Sequence, residues 1–193
     1  MKKKQGITLV EVIITLAVLS LAFSVIYLFF SSSNRTINDT DLKSKLLYES
    51  QVIQERLATL GTQSIGIKGL TLNGRDVQEL KFQSPDVITK NPTETITETI
   101  EYIFKVDSNK SMILTENKIT KTELASGSNS LTSSENNKVL SNYIDSFKIE
   151  LIGTNDVDKA KAIKVTVKLK AKKGESNKEL TTSTIVTFRN YGL

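Results

Sequence analysis

No cysteine, no histidine and no tryptophan occurs in the 193 residues, and proline occurs only twice. Without Cys and His, a zinc finger or a thiol redox motif lacks its ligands and nucleophiles. The missing His also removes a Ser-His-Asp triad and imidazole acid/base chemistry, and no Ser stands three residues before a Lys to offer the Ser/Lys alternative. Conventional hydrolase chemistry is therefore nearly excluded, and the expectation is a protein that is not an enzyme and needs neither cofactor nor metal. No disulfide can form. An excess of one charge is scarce too: 26 Lys and Arg face 21 Asp and Glu, and Lys2, Lys3 and Lys4 supply three of the net +5. Overall basicity thus makes a weak case for a nucleic-acid partner.

What the chain does have is a concentrated apolar run. From Ile7 to Phe30 the only charge is Glu11, and 24 residues at ~1.5 Å each reach about 36 Å, more than the ~30 Å of a hydrocarbon core. Three readings compete for it: a signal anchor, a secretory signal peptide ending near Ser31 to Ser33, and a segment that begins in a membrane and ends in a protein assembly. The stretch exceeds the usual apolar core of a signal peptide. A plain anchor gives no reason for Glu11, because an ionised group inside a membrane costs a few kcal/mol unless a partner compensates it.

The string Lys2-Lys3-Lys4-Gln5-Gly6 followed by Ile7-Thr8-Leu9-Val10-Glu11-Val12 and the apolar run resembles the N-terminus of type IV prepilins and the related pseudopilins. The resemblance implies cleavage between Gly6 and Ile7 by a membrane prepilin peptidase and methylation of the new terminus. It also implies a role for Glu11, whose carboxylate would attract the terminal ammonium of a neighbouring subunit during filament assembly. Such a pair lowers the penalty that either group alone would suffer in apolar surroundings. Ile7 stands where Phe is commonest in the family, and Leu28 where many major pilins carry a helix-kinking Pro. The implied fold is α+β: a long N-terminal helix, first apolar and then amphipathic, packed on a C-terminal antiparallel sheet.

The rest of the chain reads the same way from its own residues. After a polar passage from Ser31 to Asp41, the residues Leu42, Leu46, Ile53, Leu57 and Leu60 cluster on one side at 100° per residue. Lys45, Glu49 and Arg56 surround that stripe, and Gly61 and Gly66 supply stop signals. The pattern predicts one helix from about Ile7 to Leu60, loosened around Ser31 to Thr40. Beyond it, alternation predicts strands at Ile100 to Val106, Met112 to Thr115, Phe147 to Leu151, Ile163 to Lys172 and Leu180 to Phe188, with turns at Asp107 to Lys110 and around Gly174. The organisation expected is a leader at 1–6, a membrane and filament-core helix at 7–30, an amphipathic helix at 31–61 and a β domain at 62–193. Ala125 to Lys138, rich in Ser and Asn, reads as a mobile surface excursion.

The remaining candidates are weaker. Asn155-Asp156-Val157-Asp158 offers carboxylates but not the loop pattern of a hard-cation site, so a solvated turn is preferred. Lys164, Lys168 and Lys170 form a row that is a candidate polyanion contact, with an ordinary solvated strand face as the blander reading, since no aromatic side chains accompany it. The stretch from Val139 to Ile149, the Lys-rich strand that follows and the ending Thr187-Phe188-Arg189-Asn190 resemble the C-terminal region of larger minor pilins and J-type pseudopilins. The absent Cys pair of many major subunits favours a minor subunit or a Gram-positive lineage. The expectation is a minor pilin or pseudopilin, held in the cytoplasmic membrane with its three N-terminal lysines inside and then moved to a surface filament. Its partners would be the peptidase, major and other minor pilins, the assembly platform and membrane lipid. A DNA- or ligand-binding pilin and an unrelated membrane-anchored domain are the alternatives.

Overall fold

The structure, a computed structural model, describes residues 8–188. Lys2, Lys3, Lys4, Gly6, Ile7 and the Arg189-Asn190 ending lie outside the described residues. Helix α1 runs from Leu9 to Gln63, 55 residues without interruption, or about 83 Å at ~1.5 Å per residue. The loosening expected around Ser31 to Thr40 does not occur. No Pro or Gly interrupts the sequence between Leu9 and Leu60, and the polar side chains turn back on the helix: the hydroxyls of Thr36 and Thr40 donate to the carbonyls of Ser32 and Thr36 at 3.0 and 2.9 Å.

The two halves of α1 meet different surroundings. Its apolar half is long and apolar enough to cross a membrane, and none of it is buried in the fold. In the second half Leu42, Leu46, Ile53, Leu57 and Leu60 are all buried, as the stripe predicts, and Ser50 joins them with its hydroxyl satisfied by the Leu47 carbonyl. Gly61 is not the stop it reads as. The helix continues to Gln63 and ends at Ser64, whose N–H donates to the Gly61 carbonyl and whose hydroxyl donates to the Leu60 carbonyl. The residue that reads as a stop serves packing instead: a Cβ at Gly61 would run into the side chain of the fully buried Val186.

The strands are β1 (Gly66–Asn73), β2 (Asp76–Gln83), β3 (Val87–Lys90), β4 (Glu94–Val106), β5 (Met112–Leu124), β6 (Asn129–Ser141), β7 (Ile144–Ile152), β8 (Ala162–Lys173) and β9 (Ser176–Thr187). They form two antiparallel sheets where one was expected. The larger has the order β1-β2-β4-β5-β6, with β3 also paired to β4, and the smaller is β7-β8-β9. Strands β2 and β3 share β4, lying opposite Glu101 to Lys105 and Thr95 to Glu98 respectively. Pro85 between them and Pro92 after β3 hold β3 to four residues, because Pro cannot donate to a ladder. The Ser- and Asn-rich stretch expected to be a mobile excursion is mostly β6. It pairs with β5 from Glu123↔Asn129 to Met112↔Ser141. Backbone ladder bonds hold it while the side chains before Leu140 stand in solvent on both faces, so no period-two signature marks it in the sequence.

Helix α1 lies on the smaller sheet, chiefly on β9 and β8. The alternation in β8 is borne out: Ile163, Val165, Val167, Leu169 and Ala171 are all buried, and Ile163 and Leu169 face Val186 and Leu180 across the ladder to β9. Phe82 of β2 joins the two sheets. Its ring meets Phe104 of β4 edge-on at 5.6 Å and Phe188, just past β9, at 5.3 Å, an arrangement that aligns ring edges with ring faces. The Gly61 turn of α1 closes over the same cluster.

Candidate functional site

Of the residues expected to act in processing and assembly, Glu11 is described and Gly6, Ile7 and the three leader lysines are not. Glu11 stands at the third position of α1. The Thr8 N–H and hydroxyl both donate to its Oε2, at 2.9 and 3.1 Å, and its own N–H donates to the Thr8 hydroxyl oxygen at 3.3 Å. This reciprocal capping box satisfies donors that a helix start otherwise leaves open. A carboxylate near the helix start also meets the positive end of the helix dipole. Thr8 is a partner that the sequence reading overlooked, although Thr8-Leu9-Val10-Glu11 before an apolar run is the pattern that signals such a box. The site thus holds one carboxylate in a fixed rotamer at the tip of an exposed apolar rod. What it can do chemically is accept a cation.

Where α1 first meets the β domain, ion pairs fasten it. Lys173 and Lys178, flanking the β8–β9 turn, reach Asp41 and Asp39, each at 2.8 Å. Both carboxyls are held below the ordinary carboxylate range, Asp39 by hydrogen bonds from Lys178 and Ser176 and Asp41 by the one from Lys173. One turn further along, Lys45 donates to the Tyr143 hydroxyl at 2.9 Å, which raises its affinity for its proton. Beyond it, Glu49 accepts from the buried Ser141 hydroxyl at 2.6 Å. Gln54 donates to the Thr182 hydroxyl and the Ser183 carbonyl of β9. Polar residues that read as mere borders of the stripe therefore tie the helix to the strands, a role invisible without the partners' positions.

The structure does bring Lys164, Lys168 and Lys170 onto one face of β8, but in company. Lys168 lies between Glu179 at 2.8 Å and Asp145 at 3.2 Å, Lys170 reaches Glu179 at 2.7 Å, and Lys164 approaches Glu150 at 3.8 Å. Hydrogen bonds from Lys168 and then Lys170 pull the Glu179 carboxyl down to about 2 from its ordinary 4.5. The neighbours on β7 and β9 that supply these carboxylates are distant in sequence, so the row reads as more cationic than it is. A group whose folded pKa lies below its unfolded one stabilises in full above the unfolded value and loses that contribution as pH falls through the folded value. The thermal midpoint should accordingly fall between about pH 5 and pH 2, and Glu179→Gln should flatten that acid limb. Parallel acid limbs in pH-dependent melting of both proteins would show that Glu179 carries none of it.

Asp156, in the stretch weighed as a cation site, caps a single 3-10 turn at Val157–Lys159 by accepting from the Asp158 N–H at 3.1 Å, and pairs with Lys159 at 3.3 Å. Among the described residues no group of three or more carboxylates is placed to hold a metal ion.

Residues 1–27 match a family model, the prokaryotic N-terminal methylation motif. No curated protein and no solved structure matches the chain. The match covers Lys2 to Lys4, the Gly6-Ile7 junction, Glu11 and most of the apolar half of α1, and ends before the β domain.

Proposed function

We propose, from the premise that this is a type IV pilin-like protein by its N-terminal methylation motif, that the chain is a minor pilin or pseudopilin, a subunit that initiates, tips or decorates a filament. The observation that carries the reading is the coincidence of the motif with an unbroken helix whose first half is buried by nothing in the fold and whose second half is pinned to a β domain. An apolar rod of this length requires lipid or other subunits as its surroundings. The prepilin peptidase removes Met1 to Gly6, Ile7 becomes the methylated terminus, and the helix passes from the membrane into the filament core. Lys2, Lys3 and Lys4 hold the leader on the cytoplasmic side, so the β domain faces outward, where it contacts other pilins and the assembly machinery. Its lack of a disulfide leaves stability to the core and the ion pairs. The work is assembly, with no catalytic step assigned to any side chain.

N-terminal sequencing and intact mass of membrane-extracted protein test this directly. The mature chain should begin at methylated Ile7 in cells containing the peptidase and retain Lys2 to Gly6 in cells without it. A mature terminus near Asn34, or an unprocessed chain in peptidase-containing cells, would refute the reading.

A further inference from the structure

Next to the ion-paired junction, an open groove of about 410 Å³ lies between α1 and the β8–β9 turn, lined by Leu28, Ser31, Asn34, Arg35 and Asn38 of the helix and Glu175 of the turn. Its two ends differ in chemistry. Leu28 belongs to the exposed apolar half of α1, whereas Arg35 is the first cationic side chain after it. Among the described residues the Arg35 guanidinium has no hydrogen-bond partner and acts only at a distance on Asp39, one turn on. Lys172, at the end of β8, stands exposed beside the same turn.

Depth in a membrane follows from helix geometry. If the apolar run to Phe30 fills the hydrocarbon, Arg35 stands about 7.5 Å beyond it. The headgroup layer on each side is roughly 5–8 Å thick. Strand β8 runs back along the helix from Ile163, paired with the Val186 that packs on Gly61, to Lys173, which reaches Asp41, and the turn beyond it carries Glu175 to the groove that Arg35 lines. The groove therefore opens in the layer where phosphates are dense, with the Arg35 guanidinium on its helix wall, the Glu175 carboxylate on the turn and a leucine at its apolar end, so that an anion can seat only against the helix side.

We propose that this groove seats the headgroup of a phospholipid of the anchoring membrane, its phosphodiester taken by Arg35 and its glycerol end directed toward Leu28. The inference rests on reading the apolar half of α1 as the membrane anchor. A guanidinium suits the task because its fork of N–H donors matches two phosphate oxygens at once, and the Ser31 hydroxyl and the Asn34 and Asn38 amides add neutral donors. Leu28, continuous with the exposed apolar half of α1, favours a lipid, whose acyl chains lie along that half, over a phosphate ester free in water. The seat is occupied before assembly, and its lipid has to leave, or travel along, when the helix enters a filament.

The test uses the full chain reconstituted in nanodiscs of phosphatidylcholine with phosphatidylglycerol. Because the chain has no native cysteine, a nitroxide on Ser20→Cys reports insertion through its accessibility to dissolved oxygen. Native mass spectrometry then counts phosphatidylglycerol retained as the disc is stripped. The expected result is an inserted label, lipid retained by the wild type, and about fivefold less retained by Arg35→Gln, the effect of one basic residue at an anionic surface, with Lys148→Gln on the exposed side of β7 unchanged. An inserted label with no retention, or with equal retention by wild type and Arg35→Gln, overturns the lipid seat and leaves the anchor standing. A water-exposed label at position 20 overturns the anchor and the seat together.

Discussion

Phe82→Ala is expected to lower the free energy of unfolding by about 3–5 kcal/mol, the usual cost of emptying a buried aromatic site. Domains of this size are stable by only ~5–15 kcal/mol, so the loss is a large share of the whole. The site cannot close by local collapse, since Phe82 is fully buried between Phe104 and Phe188, with the Gly61 turn of α1 above. Each neighbour belongs to a different element, and none is free to follow the missing ring. Guanidinium unfolding of a fragment beginning at Asp39, which keeps the Asp39 and Asp41 pairs, provides the measurement. A change under about 1 kcal/mol, within the range of surface substitutions and small repacking, would mean that the two sheets are not joined through this ring. The ordinary cost with a lowered m value would instead point to a change in the unfolded ensemble.

The second large effect is expected at Glu11, and it falls on assembly rather than on folding. Glu11→Ala and Glu11→Gln should both insert and fold normally, and both should enter filaments at least roughly tenfold less well, a modest part of the ~3–5 kcal/mol lost when one member of a buried ion pair is removed. The capping box makes the pair of variants informative. Gln keeps an acceptor for the Thr8 N–H at the position where Glu or Gln serves equally as a cap, but it carries no charge for a neighbour's terminal ammonium. If incorporation fails for both, the charge is what matters. If Gln restores it and Ala does not, Glu11 acts by fixing the helix start, and the pairing role is wrong. Immunogold counts on sheared filaments, normalised to membrane-inserted protein, separate the two outcomes.

The parts of the fold that were legible in the sequence are those where burial is one-sided. Leu42 to Leu60 on the helix and Ile163 to Ala171 on β8 face a core with every second or every third to fourth side chain, and a period in the sequence is the imprint of such a face. Strands β1, β2 and β3 left no comparable imprint: their burial is patchy, register shifts interrupt β1, and two prolines bracket β3. Strand β6 left even less, being solvated on both faces for most of its length. Gly61 misled for a different reason, since a glycine reads as a helix stop unless the approach of Val186 is known. At the candidate site, the carboxylate was conspicuous because it is the lone charge in an apolar run, whereas its partner Thr8 is an ordinary residue made significant by spacing. The lysine row shows how strand pairing alters what a local sequence displays. Its cations are local in sequence, but Asp145, Glu150 and Glu179 reach it only through strand pairing.

The unbroken course of α1 through Ser31 to Thr40 means that residue number itself sets which way the β domain faces. Between the apolar half and the pins at Asp39 and Asp41 there is no joint to absorb a change, so each residue added there would swing the domain by about 100° and lift it by ~1.5 Å. Seven added residues, two turns, would bring it back to within ~20° of its starting azimuth about 10 Å higher. In a helical array of such rods, azimuth decides which surface of one domain meets the next, and height decides at which level. Placed in such an array, a chain built this way would carry its address as a count of residues.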